Sequence, residues 1–360
     1  GSILGFLYRD SARLEVEPLA GGFSGAIVLR VRSYDALGHE HAPSVAKLGP
    51  RPLIGSERVA FEQVESILGN AAPSVRAFAD LEERAGIKYA YASMGSGPVR
   101  TFKSFYEGGA SASEIDQVLE TVHEEVLGCF SRAALYERLP LAEYYAFEPR
   151  YAAGVRSRVA EILGAQSEAA ELDFGQGYSA ANVADFYGTE LESLPEVYGE
   201  SHYVCYVHGD LNGANILIDD EGISWVIDFA KTGDGPALMD LVKLENTILF
   251  EYTALRDEDD LADAVRLSTA LAGAPTLGVA DLPLSFDPPL RSPALRFAWT
   301  AVRRVRAYAA QYARGTAAWA GQMNAARLHW ALWSLSLREI GTLQRRWALE
   351  TAVVETQFLM

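Results

Sequence analysis

The sequence has 360 residues, 49% hydrophobic and 22% charged, ordinary globular usage in a chain long enough for two domains or one two-lobed unit. That composition excludes a disordered tail, a collagen and a disulfide scaffold; only Cys129 and Cys205 occur, so a reducing, cytoplasmic compartment is expected. The net charge of −17 argues against a nucleic-acid partner, and no apolar run reaches the roughly 18 residues of a membrane span.

In chain order, residues 13–32 read as two strands around the turn Gly21-Gly22-Phe23-Ser24-Gly25, and residues 44–49 as a third. Val59, Phe61, Val64 and Ile67 approximate helical spacing over Ser56 to Leu68. Residues 75–80 and 87–93 alternate like two further strands, and residues 94–98 (MGSGP) read as a hinge. Helical texture follows over 111–136, 154–170 and 180–193, then a β-rich stretch over 203–229. Pro236 is expected to open a helix through about Tyr252, and two long helices are expected near 293–314 and 317–345, after a proline-rich linker over 281–293. The organisation expected is an N-lobe over 1–94 and a C-lobe over 95–360.

Charge is unevenly spread. Arg291 to Arg346 contains ten Arg and one acid, Glu339, whereas Glu107 to Glu200 holds 18 acids against five Arg. Solvated helix faces explain both stretches; two walls around a charged ligand are the sharper alternative. His123, His202 and His329 share no metal-site spacing and read as structural. The two cysteines read as buried apolar groups. Trp299, Trp319, Trp330, Trp333 and Trp347 read as helix-packing core, and Arg303, Arg304 and Arg306 as solvated positions rather than a grip on an anionic acceptor.

Four features in order carry chemistry. The glycine turn at 21–25 lets backbone N–H groups approach an anion, although no Lys-Ser/Thr follows to make a Walker A loop. Lys47 stands among Val45, Ala46 and Leu48, and a buried ammonium needs a partner: Glu57 is the natural one, Glu62 the second choice. His208-Gly209-Asp210-Leu211-Asn212-Gly213-Ala214-Asn215 precedes one apolar strand, and Asp228-Phe229 follows another. An Asp, an Asn five residues on and an Asp thirteen beyond that form the H-x-D-x-x-x-x-N plus D-F pattern of kinase-type phosphoryl transfer. In that chemistry one carboxylate accepts the hydroxyl proton, while an amide oxygen and a second carboxylate suit Mg²⁺.

These strings, continued through GDGPALMDLVKLE, resemble the aminoglycoside phosphotransferase and choline kinase family, small-molecule kinases with an α+β, two-lobed protein-kinase-like fold. The resemblance is specific over 207–245, moderate over 19–62 and poor over 99–200 and 255–360. It implies Asp210 as catalytic base, Asn215 and Asp228 as metal ligands, and Lys47 on the α/β-phosphates, held by Glu57. It further implies Gly21, Gly22, Ser24 and Gly25 over the phosphates, adenine on the backbone near Ala92 to Met94, and Asp240 bracing the catalytic loop. ATP is the implied donor, with GTP left open, and the implied acceptor is a small hydroxylated molecule. The wording over 233–245 also resembles phosphotransferase-like domains inside large bacterial signalling or conflict-system proteins. The opening Gly1-Ser2, without a Met, fits a trimmed chain or a domain of a longer parent, and no signal peptide is visible.

Departures from protein kinases favour a small-molecule kinase. Gly209 stands where they carry Arg, Ala230 replaces the Gly of Asp-Phe-Gly, and no Ala-Pro-Glu segment follows. The glycine loop is also shorter than G-x-G-x-x-G. The competing reading is a non-catalytic or regulatory nucleotide-binding module of a larger protein, which the intact Lys47, Asp210, Asn215 and Asp228 oppose.

Overall fold

The computed structural model describes residues 3–19, 25–69, 74–90, 98–175, 178–190, 201–274, 290–313 and 319–359. Residues 94–97 of the expected hinge at 94–98 and 281–289 of the linker at 281–293 therefore lie outside the described residues. Contacts group the chain into two compact units: Gly1–Ala133 with Tyr206–Asp234, and Ala134–Cys205 with Gly235–Met360.

The first unit opens with α1 (Ile3–Leu7), five residues long and too short for periodicity to reveal. Strands β1 (Arg13–Leu19), β2 (Ile27–Tyr34) and β3 (Ser44–Pro50) follow, then α2 (Arg51–Leu68), β4 (Ser74–Leu81) and β5 (Arg84–Ala90). They form one antiparallel sheet in the order β1-β2-β3-β5-β4, so β3 is central. Leu7, Tyr8, Leu29, Val31, Ala46 and Ala79 make its core, with Ile3, Leu4 and Leu48 packed on them. Gly86 is required there, because a Cβ would overlap Ile3 of α1.

Helix α2 starts five residues earlier than the apolar spacing suggests, with Pro52 in its first turn, where a missing N–H costs nothing. Its buried face is Ile54, Glu57, Phe61, Val64 and Leu68, whereas Val59 is 69% exposed. The buried stripe thus includes a glutamate, which a reading of apolar residues alone passes over. Later in the same unit, strands Ile216–Ile218 and Ser224–Val226 pair antiparallel, with Ile216 opposite Val226.

The second unit is mostly helical; it holds a helix, Glu258–Ala272, that is absent from the expected elements, and it differs from them elsewhere as well. Pro236 closes the strand Gly233–Pro236 instead of opening a helix; the helix is Met239–Asn246, continued as a wider π turn through Tyr252. The single helix expected over 317–345 is two, Trp319–Ser334 and Thr342–Leu359. Ser336 ends the first by donating from Oγ to the Trp333 carbonyl at 2.6 Å, and the Gln344 side chain accepts from Gly341 N at 2.9 Å before the second. Leu335, Leu337 and Ile340 stay buried through the break, so hydrophobic periodicity does not mark it. Finally, a hairpin of Glu171–Gly175 and Tyr178–Ala181 precedes the helical turns that begin at Val183.

The basic segment is not uniformly solvated. Arg306 is 1% exposed; its Nε and Nη2 bond Glu245 at 2.7 and 2.9 Å, and Arg327 joins Glu245 to Glu355. Burial pushes the Glu245 carboxyl up, but the two guanidiniums outweigh it and hold it below its ordinary value. Trp330, Trp333 and Trp347 do belong to packing: the Lys243 ammonium lies 4.0 and 3.8 Å from the Trp330 and Trp333 ring centres, and Trp347 is fully buried. Cys205 is buried, whereas Cys129 is only partly so. Among the described residues no helix is long and apolar enough to cross a membrane.

Candidate active site

Lys47 sits on the central strand, opposite Val28 of β2 and Ile87 of β5. It is 2% exposed, so its ammonium must find charge inside the fold. It does so twice: Nζ lies 2.8 Å from Glu57 Oε2 and 2.5 Å from Asp228 Oδ1. Of the two partners considered from sequence, Glu57 is the one that α2 turns inward. Tyr89 on β5 donates to Glu57 Oε1 at 2.6 Å, a contact with no sequence signal beyond the tyrosine itself. Burial holds the Glu57 carboxyl above its ordinary value against the pull of Lys47, and the Asp228 charge adds to the upward push.

Asp228 is placed by its hairpin. The pairing of Ile216 with Val226 continues as Ile227 N donating to the Asn215 carbonyl at 2.9 Å, which sets Asn215 beside the residue before Asp228. Asp228 adopts a left-handed backbone (φ 69°, ψ 61°), which Asp tolerates better than most residues and which ends the strand sharply. The next ring, Phe229, is buried against Phe61 of α2 and His208, at 5.9 and 5.1 Å between ring centres. Phe61 also meets Tyr89 at 5.5 Å. Helix, sheet and Asp228 are thereby tied through aromatic packing.

The 208–215 loop is fixed by its own polar groups. His208 is fully buried; its Nε2 donates to the Ile227 carbonyl at 3.0 Å, and its Nδ1 accepts from Asp210 N at 3.3 Å. The Asn212 side chain accepts from Ala214 N at 2.9 Å, and Asn215 Nδ2 donates to the Asp210 carbonyl at 2.9 Å. The Asp210 carboxylate, on a side chain 26% exposed, meets Lys231 Nζ at 3.0 Å. Gly209 has φ +80°, and a Cβ there would overlap the Lys231 carbonyl oxygen and stand 2.9 Å from its carbon. The missing Arg of protein kinases therefore has a steric cause: no side chain fits.

Lys47, Glu57, Asp228, Asn215 and Asp210 are thus linked within one unit. Gly25 is described at φ +73°, whereas Gly21, Gly22, Ser24, Ala92 and Met94 lie outside the described residues. Asp240 is buried in the first turn of Met239–Asn246. Sequence reasoning missed Lys231; the available signal was a lone Lys three residues after the second Asp. Among the described residues no group of three or more His, Cys, Asp or Glu could hold a metal ion by itself. The donor set nevertheless suits Mg²⁺ by type: with Nδ2 of Asn215 bonded to the Asp210 carbonyl, its Oδ1 is a hard acceptor, and the Asn215 backbone pairs with Ile227, the residue before the Asp228 carboxylate. Mg²⁺ commonly takes one or two protein oxygens, with phosphate and water completing the shell.

The sequence profile of the ternary complex associated domain 9 family matches residues 12–182 and 169–336. No curated protein matches the chain. A thermostable mutant of aminoglycoside phosphotransferase APH(4)-Ia, in ternary complex with ADP and hygromycin B, matches at TM-score 0.50 and 14% identity, over 99% of this chain and 97% of that one. A Plasmodium vivax ethanolamine kinase matches at TM-score 0.42 and 14% identity, over 95% of this chain and 81% of that one. The first of these likenesses shows the fold: α+β, two-lobed, of the aminoglycoside phosphotransferase and protein-kinase-like type.

Proposed function

The chain belongs to the ternary complex associated domain 9 family, and we propose that it is an ATP- and Mg²⁺-dependent phosphotransferase acting on a small hydroxylated acceptor. The observation that carries this reading is the Lys47–Glu57–Asp228 cluster, linked to Asn215 and Asp210 through one hairpin and one loop. Asp210 is the proton acceptor for the incoming hydroxyl. Lys47, steered by Glu57, binds the α/β-phosphates. Asn215 and Asp228 hold the metal, which supplies positive charge against the phosphates. Gly21, Gly22, Ser24 and Gly25 cover the phosphates, and the backbone from Ala92 to Met94 takes the adenine. Catalysis on this plan is positioning plus electrostatics, without a covalent enzyme intermediate.

The functional lobes proposed are 1–94 for the nucleotide sheet and 95–360 for the catalytic loops and acceptor region. The family's description, a domain associated with ternary complexes, favours a second role as a module within a larger assembly, which the proposed nucleotide site would serve without catalysis. Two variants separate the readings. Asp228→Ala should abolish Mg²⁺-dependent nucleotide binding in calorimetry under either. Asp210→Asn should retain that binding and lose roughly 10²–10⁴-fold in phosphate transfer or slow ATP hydrolysis if the chain is an enzyme. Wild-type protein that binds ATP yet never consumes it across a broad acceptor panel establishes the module reading instead.

A further inference from the structure

We propose that Lys231 contacts the γ-phosphate of the bound nucleotide and stabilises the phosphoryl group in transfer; this deepens the phosphotransferase reading and rests on it. The Lys231 backbone is fixed while its side chain extends, largely exposed, to the Asp210 carboxylate. Phe229–Lys231 is a tight 3₁₀ turn, anchored by Phe229, which is 1% exposed. Thr232 closes the turn, donating from N and from Oγ1 to the Phe229 carbonyl at 3.1 and 2.7 Å. On its other side the Lys231 carbonyl lies against Gly209, so closely that only glycine fits. Two loops thus meet at the point from which the Lys231 ammonium reaches the Asp210 carboxylate, 3.0 Å away.

Stability does not explain this arrangement. The Lys231 side chain is 64% exposed, and exposed ion pairs contribute about 0–1 kcal/mol. The site's other cation nearby, Lys47, is buried between Glu57 and Asp228. An exposed ammonium beside the proton acceptor has a chemical use. The acceptor oxygen forms its bond to the γ-phosphorus, its proton passes to Asp210, and the bond to the β-phosphate oxygen breaks, releasing ADP. With ATP bound, the Lys231 ammonium spans Asp210 and a γ-phosphoryl oxygen; as Asp210 takes the proton and loses its charge, the ammonium is left to the γ-phosphoryl group, where negative charge is spread in the transition state.

Calorimetry with Mg²⁺ and either AMP-PNP or ADP tests this on wild type, Lys231→Ala and Lys231→Arg. The prediction is a loss of about tenfold or more in AMP-PNP affinity for Lys231→Ala, with ADP affinity unchanged within about twofold and Arg restoring most of the difference. In ATP consumption, the alanine variant should lower kcat with little change in the acceptor KM. Equal thermal midpoints for the three proteins establish that folding is not the cause. Wild-type binding with an unchanged AMP-PNP to ADP ratio in Lys231→Ala overturns the Lys231 role and leaves the phosphotransferase reading standing. Wild-type protein that binds neither nucleotide overturns both.

Discussion

Replacing Lys47 by Met keeps the length of the side chain and removes the charge between Glu57 and Asp228. Lys47 is 2% exposed and Glu57 0%, so the variant leaves a buried carboxylate without its counter-ion, a change that typically costs about 3–5 kcal/mol. Glu57 can escape by taking a proton. From its ordinary value of 4.5, that costs about 1.4 kcal/mol per pH unit, or about 5 kcal/mol at pH 8 and about 1 kcal/mol at pH 5. A carboxyl whose folded-state pKa is raised favours the protonated folded state, so stability is lost as pH rises above the unfolded value. The variant should therefore be about 3 to 5 kcal/mol less stable than wild type at pH 8 and close to it at pH 5. Lys47→Met with Glu57→Gln should recover at least half of the loss at pH 8, since no buried charge then remains on α2. Urea unfolding of the three proteins at both pH values is the assay. A cost for Lys47→Met below about 1 kcal/mol at pH 8, or the same at both pH values, would refute the buried-pair account.

Gly209→Ala should destabilise the protein by about 2–4 kcal/mol, combining a left-handed Ala with overlap on the Lys231 carbonyl; a loss under about 0.5 kcal/mol in urea unfolding means that the two loops do not meet as described. Glu350 is 5% exposed, and burial pushes its carboxyl up to about 7 despite Arg346. Its folded form therefore holds a proton that the unfolded form releases, and this group should lower stability by up to about 3 kcal/mol as pH rises from about 4.5 to about 7. Glu350→Gln keeps an acceptor for Arg346 Nε and should remove that slope; thermal-unfolding curves against pH that run parallel for the two proteins would contradict the assignment.

By itself the sequence determined the elements whose signal is local. The five strands before residue 91 show as alternation broken by turns, and Asp210, Asn215 and Asp228 as polar residues at fixed offsets from short apolar strands. That spacing is meaningful because the hairpin of Ile216–Ile218 and Ser224–Val226 has one register, and the register sets Asn215 beside Ile227. Tertiary structure decided what depends on distant segments. Lys47 has two candidate partners by sequence, and the choice follows from which face of α2 is buried, a face that α2 sets against the sheet and Phe229. Gly209 reads only as a departure from a kinase motif until the Lys231 backbone is seen against it. The buried cluster of Arg306, Arg327, Glu245 and Glu355 gathers residues up to 110 positions apart, and no local pattern distinguishes those arginines from solvated ones. The helix break between Ser334 and Thr342 escapes the sequence for the opposite reason: burial continues across it, so the apolar pattern continues while the backbone turns.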